Sequence, residues 1–376
     1  MSVTIRKVES SRDRRKFVKF PLELYKDCPY YNPGLYFDEI KTLTPSKNPS
    51  SEFCDSALFL AYKDGKIVGR VAAIINRRAN EQWSHAEVRY GWLDFIDDRE
   101  VSKALIDAVI EYGRQAGMNR IQGPLGFTDA DSEGLVVEGF NQLPTFPLRY
   151  TPPYYMEHLE ALGMTKVVDW LEFQITIPKE IPERLQKISD MVKERYNLHV
   201  RKVTRREVRR EQIGRKIFDL INRTYCDLFD FTILPDKVID HYVDIYLGLL
   251  DLKFITLIED EDGKLIAFGI TMPSIVRAVK KCNGYLFPFG WFHILKSMFF
   301  KYEENLELLL IAVDPEYRNK GVNAMLFCDF IPFAAKCGFK YAETNAELED
   351  NQNVQSPWAM FEHKQHRRRR VYGKDI

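Results

Sequence analysis

At 376 residues the chain is longer than one hydrophobic core usually serves, which predicts two domains. Its 54 basic and 54 acidic residues cancel, so no global field argues for nucleic acid or an anionic surface, and 45% hydrophobic with 29% charged residues is ordinary for a soluble globular protein. The six cysteines are scattered without a CxxC pair or Cys/His ligand spacing, which excludes a disulfide framework or metal site as an expectation. The N-terminus lacks a signal-like apolar stretch, and the most hydrophobic run, residues 285–300, is too short to span a bilayer; the expected location is cytoplasmic.

In chain order, IRKV (5–8) alternates apolar and charged residues as a half-buried strand should, and a helical region follows. Residues 58–76 read as a hairpin turning at Asp64-Gly65. ALIDAVIEYGRQAGMNRIQG reads as a helix stopped by Gly117 and followed by a short strand. The Gly- and Pro-rich segment 123–155 has little periodicity and is expected either to cover a cleft or to be a surface excursion. Pro178 and Pro182 bracket the start of a linking helix, 182–196.

The same order then recurs. VRKV (200–203) precedes a helical region and a hairpin (254–272) turning at Asp262-Gly263. A strand over 306–313, a helix stopped by Gly338 and the strand KYAET complete the second round. The chain therefore reads as two tandem α/β domains built on mixed sheets, 1–177 and 178–376. Residues 274–300 are inserted in the second round as two helical pieces split at NGYLFPFG. Phe287, Phe289, Trp291 and Phe292 there are expected to line an acceptor pocket or acyl tunnel, or to pack between the halves. The terminal KQHRRRRVYGK reads as an exposed basic strand or tail end, and nucleic acid is not the expected partner.

The chemistry concentrates in VDPEYRNKGVNAMLF. Pro315 ends the ladder of the preceding strand, and the helix restarts after Gly321. Such a turn offers successive N–H groups at a helix N-terminus, where the dipole favours an anion; Arg318 and Lys320 add positive charge. This is a pyrophosphate cradle without the Walker lysine or GxGxxG spacing.

The stretch resembles the acyl-CoA-binding motif of the GCN5-related N-acetyltransferases (GNAT), Arg/Gln-x-x-Gly-x-Gly/Ala after a strand ending in Val-x-Pro. Arg318 and Gly321 match, Val313, Pro315, Glu316 and Tyr317 match the lead-in, and Asn323 replaces the final Gly/Ala, with Ala324 next. The resemblance implies two tandem GNAT-like domains and acetyl-CoA or another acyl-CoA as co-substrate. It implies contacts from Arg318, Asn319, Lys320, Gly321, Val322, Asn323 and Ala324 to the pyrophosphate, and an oxyanion-stabilising N–H among Ile311, Ala312 and Val313. Asn345 would lie beside the pantetheine. Glu307, eleven residues before Arg318, stands where histone-type members hold their base, and its leucine neighbours suit a raised pKa; Glu304 is second. Where members place a thiolate-protonating tyrosine the chain has Phe361, and Leu159 in the first half, leaving Tyr372, Tyr341 or water. Glu347, Glu349 and Asp350 could meet a cationic amine.

Counting back from Gly117 and Gly338 sets Asp97, Asp98 and Glu100 against Arg318, Asn319 and Gly321, so the first half is read as degenerate, without a phosphate loop. The expected reaction is acyl transfer to an amine of a small molecule. The alternatives are long-chain transfer from acyl-CoA or acyl-carrier protein, or a non-catalytic ligand-binding scaffold.

Overall fold

The computed structural model of the chain describes residues 2–247 and 250–376. The polypeptide forms two compact units, one from Met1–Leu171, Val276–His293 and His366–Ile376, the other from Glu172–Ile275 and Ile294–Gln365. A single cut at 177/178, the boundary read from the sequence, does not by itself describe these units, because two later segments pack with the first.

In the first unit the strands Thr4–Lys7, Cys54–Lys63, Lys66–Asn76 and Glu87–Phe95 are antiparallel neighbours in that order. Asp64 and Gly65 both take positive φ (53° and 76°), the backbone a two-residue hairpin needs. Arg120–Gly123 then pairs parallel to Glu87–Arg89, and this parallel pairing makes the sheet mixed. Helix Arg99–Gln115 buries Val101, Leu105, Ile106, Val109 and Ile110, a helical stripe, against the hairpin's Ala61, Val71, Ala73 and Ile75. It stops at Gly117 (φ 78°), where the Met118 N–H reaches the Gly113 carbonyl at 2.9 Å. Residues 123–155 are more than a surface excursion, since part of the segment lies in this unit's interior. Leu125, Phe127, Leu135, Val136 and Leu148 are buried there.

The C-terminal basic run is a strand, His363–Asp375, but it is not an exposed one. Its Tyr372–Asp375 pairs with Arg120–Gly123, completing the first unit's sheet. Arg367 and Arg369 are fully buried and donate to the Leu143 and Arg149 carbonyls, both at 2.8 Å. Arg368 and Arg370 converge on buried Asp169, at 3.1 and 2.7 Å. Charge alone suggested solvent; the carboxylate that pairs it lies two hundred positions away in sequence. Removing it takes the carboxylate from Arg370, while Arg368 keeps Glu138 (3.1 Å), so Asp169→Ala should cost about 1–3 kcal/mol, read from urea unfolding.

In the second unit the order runs Glu172–Thr176 (the end of strand Thr165–Thr176), Tyr341–Thr344, Asn305–Val313, Leu265–Pro273, Ile255–Glu259 and His199–Arg201. Here too a parallel pair occurs, Asn305–Leu308 with Tyr341–Thr344. The linking helix, Glu183–Tyr196, ends at Asn197 (φ 50°) and packs on helix Asn323–Lys336 through a core containing Val192, Val322, Met325 and Leu326. That second helix stops at Gly338 (φ 85°) as the first-unit helix stops at Gly117. The inserted segment holds two helices, Val276–Lys281 and Gly290–Phe299. Its Phe287, Phe289, Trp291 and Phe292 are exposed, so neither a pocket lining nor packing between halves describes them. No helix among the described residues is long and apolar enough to cross a membrane.

Candidate functional site

Strand Asn305–Val313 runs into the predicted cradle, and buried Asp314 holds the exit. Its N–H donates to the Ile266 carbonyl (2.7 Å), while its carboxylate accepts from the Glu316 N–H (3.1 Å) and from Arg223 (2.8 Å). Burial opposes its ionisation, but that N–H, Arg223 and nearby Lys264 prevail and hold the carboxyl below its ordinary 3.8. A depressed carboxyl stabilises the fold above its unfolded value, and that contribution disappears as pH falls through the folded value. Asp314→Asn should therefore lower the urea midpoint at pH 7, with the difference from the parent shrinking as pH falls below the ordinary carboxyl value of 3.8.

After one 3-10 turn, Pro315–Tyr317, the chain passes through Asn319 (φ 60°) and Gly321 (φ 82°) into helix Asn323–Lys336. No side chain caps this helix. The N–H groups of Asn319, Gly321, Val322 and Asn323 bond to no described residue, leaving four donors at the positive end of a helix dipole. Lys320 sits over the rings of Tyr196 and Tyr317, 5.0 and 4.8 Å from their centroids, and Arg318 donates to the Thr224 carbonyl at 2.8 Å. Gly321 is required by the chain's own packing. Besides its positive φ, a Cβ there would lie 2.9 Å from Ile188 Cγ2 of the linking helix.

The first unit shows the opposite arrangement. Its helix has 17 residues against 14, so the turn that is open in the second unit is wound into helix in the first. Asp98 caps it, accepting from the Glu100 N–H (2.9 Å) and pairing with Lys63 (2.6 Å). That helix N-terminus is occupied by the protein's own carboxylate. Beside the strand Glu87–Phe95, Leu125 donates to the Tyr90 carbonyl, and Arg89 and Asn76 donate to the carbonyls of Gly126 and Phe127. Chain fills the space where that strand and its parallel neighbour diverge.

The corresponding strands of the second unit diverge as well. Asn305–Val313 pairs with Tyr341–Thr344 only as far as Leu308; the Asn345 N–H adds a last bond to the Leu308 carbonyl (3.1 Å), and the strands part. On the other side a bulge passes over Leu309. At the open end the Tyr225 hydroxyl donates to the Ile311 carbonyl at 2.7 Å. Burial raises this phenol to about 12, and the negative charge of neighbouring Glu347 adds to the shift. Burial also pushes the Glu347 carboxyl up to about 8, against the pull of the Trp358 indole N–H at 3.1 Å. The Oδ1 atoms of Asn345 and Asn323 are buried without a hydrogen-bond partner.

The predicted residues thus separate into groups. Ile311, Ala312, Val313 and residues 318–324 line one strand–turn–helix path, and Asn345 stands where the neighbouring strand leaves it. Glu307 is buried inside the closed part of the ladder, in register with Met272 and Glu343. Glu304 is an exposed partner of Lys340. Tyr372 donates to Glu160 in the first unit, Tyr341 opens the closed end of the ladder opposite Asn305, and Phe361 packs on Phe327. Tyr225 was missed; it ends an amphipathic helix, Ile213–Tyr225, and nothing local distinguishes it from a packing residue.

The fold is that of the GCN5-related N-acetyltransferases in tandem arrangement. A tandem GNAT protein from the clavulanic acid biosynthesis pathway superposes with a TM-score of 0.56 at 12% identity, covering 100% of this chain and 98% of its own. A probable N-acyltransferase from Enterococcus faecalis gives 0.52 at 8%, over 100% and 73%. In sequence the chain is 28% identical to Protein YghO of Escherichia coli over 99% of its length and 95% of that protein's. It is 23% identical to the bacterial ceramide synthase of Caulobacter vibrioides, over 85% and 82%. No family profile matches the chain.

Proposed function

We propose that this protein is an acyl-CoA-dependent N-acyltransferase, acting in the cytoplasm on an amine of a small molecule through one competent half, residues 178–376. The observation that carries this reading is the row of unbonded N–H groups at Asn319 and Gly321–Asn323, placed directly after a strand whose neighbour diverges. Those donors, with Arg318 and Lys320, suit a pyrophosphate. The open edge of Ile311–Val313 suits the pantetheine and the thioester oxygen, with Asn345 alongside. Asn323 fits if its amide presents the Nδ2 donor, which the unpartnered Oδ1 leaves free to happen.

In the reaction the amine nitrogen bonds to the thioester carbonyl carbon, the C–S bond breaks, and one proton passes from nitrogen towards sulfur. Tyr225, which holds its proton at neutral pH, would turn its hydroxyl from the Ile311 carbonyl to the leaving thiolate. Two carboxylates compete for the role of base: Glu307, by its spacing from Arg318, and Glu347, whose carboxyl burial raises to about 8. Calorimetric titration of acetyl-CoA and a long-chain acyl-CoA tests the reading: saturable binding supports it, and no binding of either ends it.

Transfer of a longer acyl chain, from acyl-CoA or acyl-carrier protein, is the second reading. It is favoured by the similarity to a protein named a ceramide synthase, since a ceramide is an N-acylated long-chain amine. Tighter binding of the long-chain ligand would select it. Binding without turnover across amine panels would leave a scaffold that has kept the ligand.

A further inference from the structure

We propose that the inserted segment, residues 274–301, is a docking element that seats this protein on an anionic phospholipid bilayer. A helix of a water-soluble protein turns its apolar stripe inward. Gly290–Phe299 buries Ile294 and Met298 but turns Trp291, Phe292, Leu295 and Phe299 to solvent. Phe287 (80% exposed) and Phe289 (71%) precede it, and Phe300 (84%) follows. Of the ten large hydrophobic side chains exposed among the described residues, seven fall within this stretch, which makes it a patch rather than scatter.

The base of the segment is fixed. Lys280 donates to the carbonyls of Cys28 (2.9 Å) and Pro29 (2.5 Å), the Tyr36 N–H donates to the Gly284 carbonyl (2.9 Å), and the Tyr36 and Tyr285 rings meet at 4.8 Å. The aromatic tip is therefore presented from a held stem.

Charge selects the occupant. Residues 274–301 contain Arg277, Lys280, Lys281, Lys296 and Lys301 and no aspartate or glutamate, whereas the chain average of 54 acids in 376 residues would place about four there. Aromatic side chains entering the headgroup boundary, with lysines beside them at the phosphates, are the two components of interfacial binding to anionic lipid. A second copy would bring like charges together at the same face. A long acyl ligand needs a concave wall, and these side chains project into solvent.

The test is co-sedimentation of the full chain, without acyl donor, with vesicles of phosphatidylcholine alone or with about one-third phosphatidylglycerol. The expected result is at least about tenfold stronger binding to the anionic vesicles, weakening with added salt. Lys296→Glu with Lys301→Glu should remove the anionic preference. Phe287→Ser, Phe289→Ser and Phe300→Ser together should lose about tenfold or more in binding with an unchanged melting temperature, since these side chains are exposed. Absence of vesicle binding by the parent, or equal binding by the triple variant, overturns the proposal. So does a dimer in solution that the triple variant disperses while neither protein binds vesicles. Because no transfer is measured, failure here leaves the acyl-CoA reading standing.

Discussion

A chain carrying Asn319→Asp and Lys320→Glu should fold normally and lose about 100-fold or more in affinity for acetyl-CoA. Both side chains are exposed, so the fold gives up little: the cation–π contacts of Lys320 with Tyr196 and Tyr317 are worth about 0.5–1 kcal/mol, or a few degrees of melting temperature. The ligand, by contrast, would meet two carboxylates in place of a neutral amide and a cation. The pair recreates on the second helix what Asp98 does on the first. Calorimetry reads the affinity and thermal unfolding controls for stability; undiminished binding by a folded double variant would show that the open N–H row is not where the pyrophosphate sits. Gly321→Glu is a less clean probe, because its Cβ would press on Ile188 and the backbone there is left-handed.

The second large effect concerns Tyr225 and Glu347. If the tyrosine protonates the leaving thiolate, Tyr225→Phe should lower kcat by about 10²–10³-fold while leaving acyl-CoA affinity within a few-fold. If Glu347 is the base, it works only when deprotonated. With its carboxyl at about 8, kcat/KM should rise with pH through that value, and Glu347→Gln should flatten the limb. A profile that keeps its rise near 8 in Glu347→Gln and loses it in Glu307→Gln would return the role to Glu307. Loss of kcat and affinity together in Tyr225→Phe would make that tyrosine a packing residue of the strand edge.

The strand–turn–helix path from Asn305 to Lys336 was legible in the sequence because each of its parts is local. Pro315, Gly321 and the flanking strand and helix patterns all act within a few residues, and the backbone follows them. The glycine stops at 117 and 338 were legible for the same reason. What escaped depends on pairing across distance. Tyr225 gains its place from Ile311, 86 residues on, and Glu347 owes its raised carboxyl to burial, which no spacing reveals. The arginine run looked like a solvent strand because Asp169, Leu143 and Arg149 lie some two hundred residues before it. Segment 123–155 looked like a loop because its strand-like part is short and its glycines and prolines break periodicity; its buried Leu125 and Phe127 were not distinguishable from surface apolar residues.

The strand that completes the first unit's sheet has a consequence for biosynthesis. Domains generally fold in the order they leave the ribosome. Here the first unit lacks the partner of Arg120–Gly123 until Tyr372–Asp375 has been translated, after the second unit has already emerged. The half made first is thus the half finished last. Until then, the bonding edge of Arg120–Gly123 that later receives Tyr372–Asp375 has no strand from the chain's end to pair with.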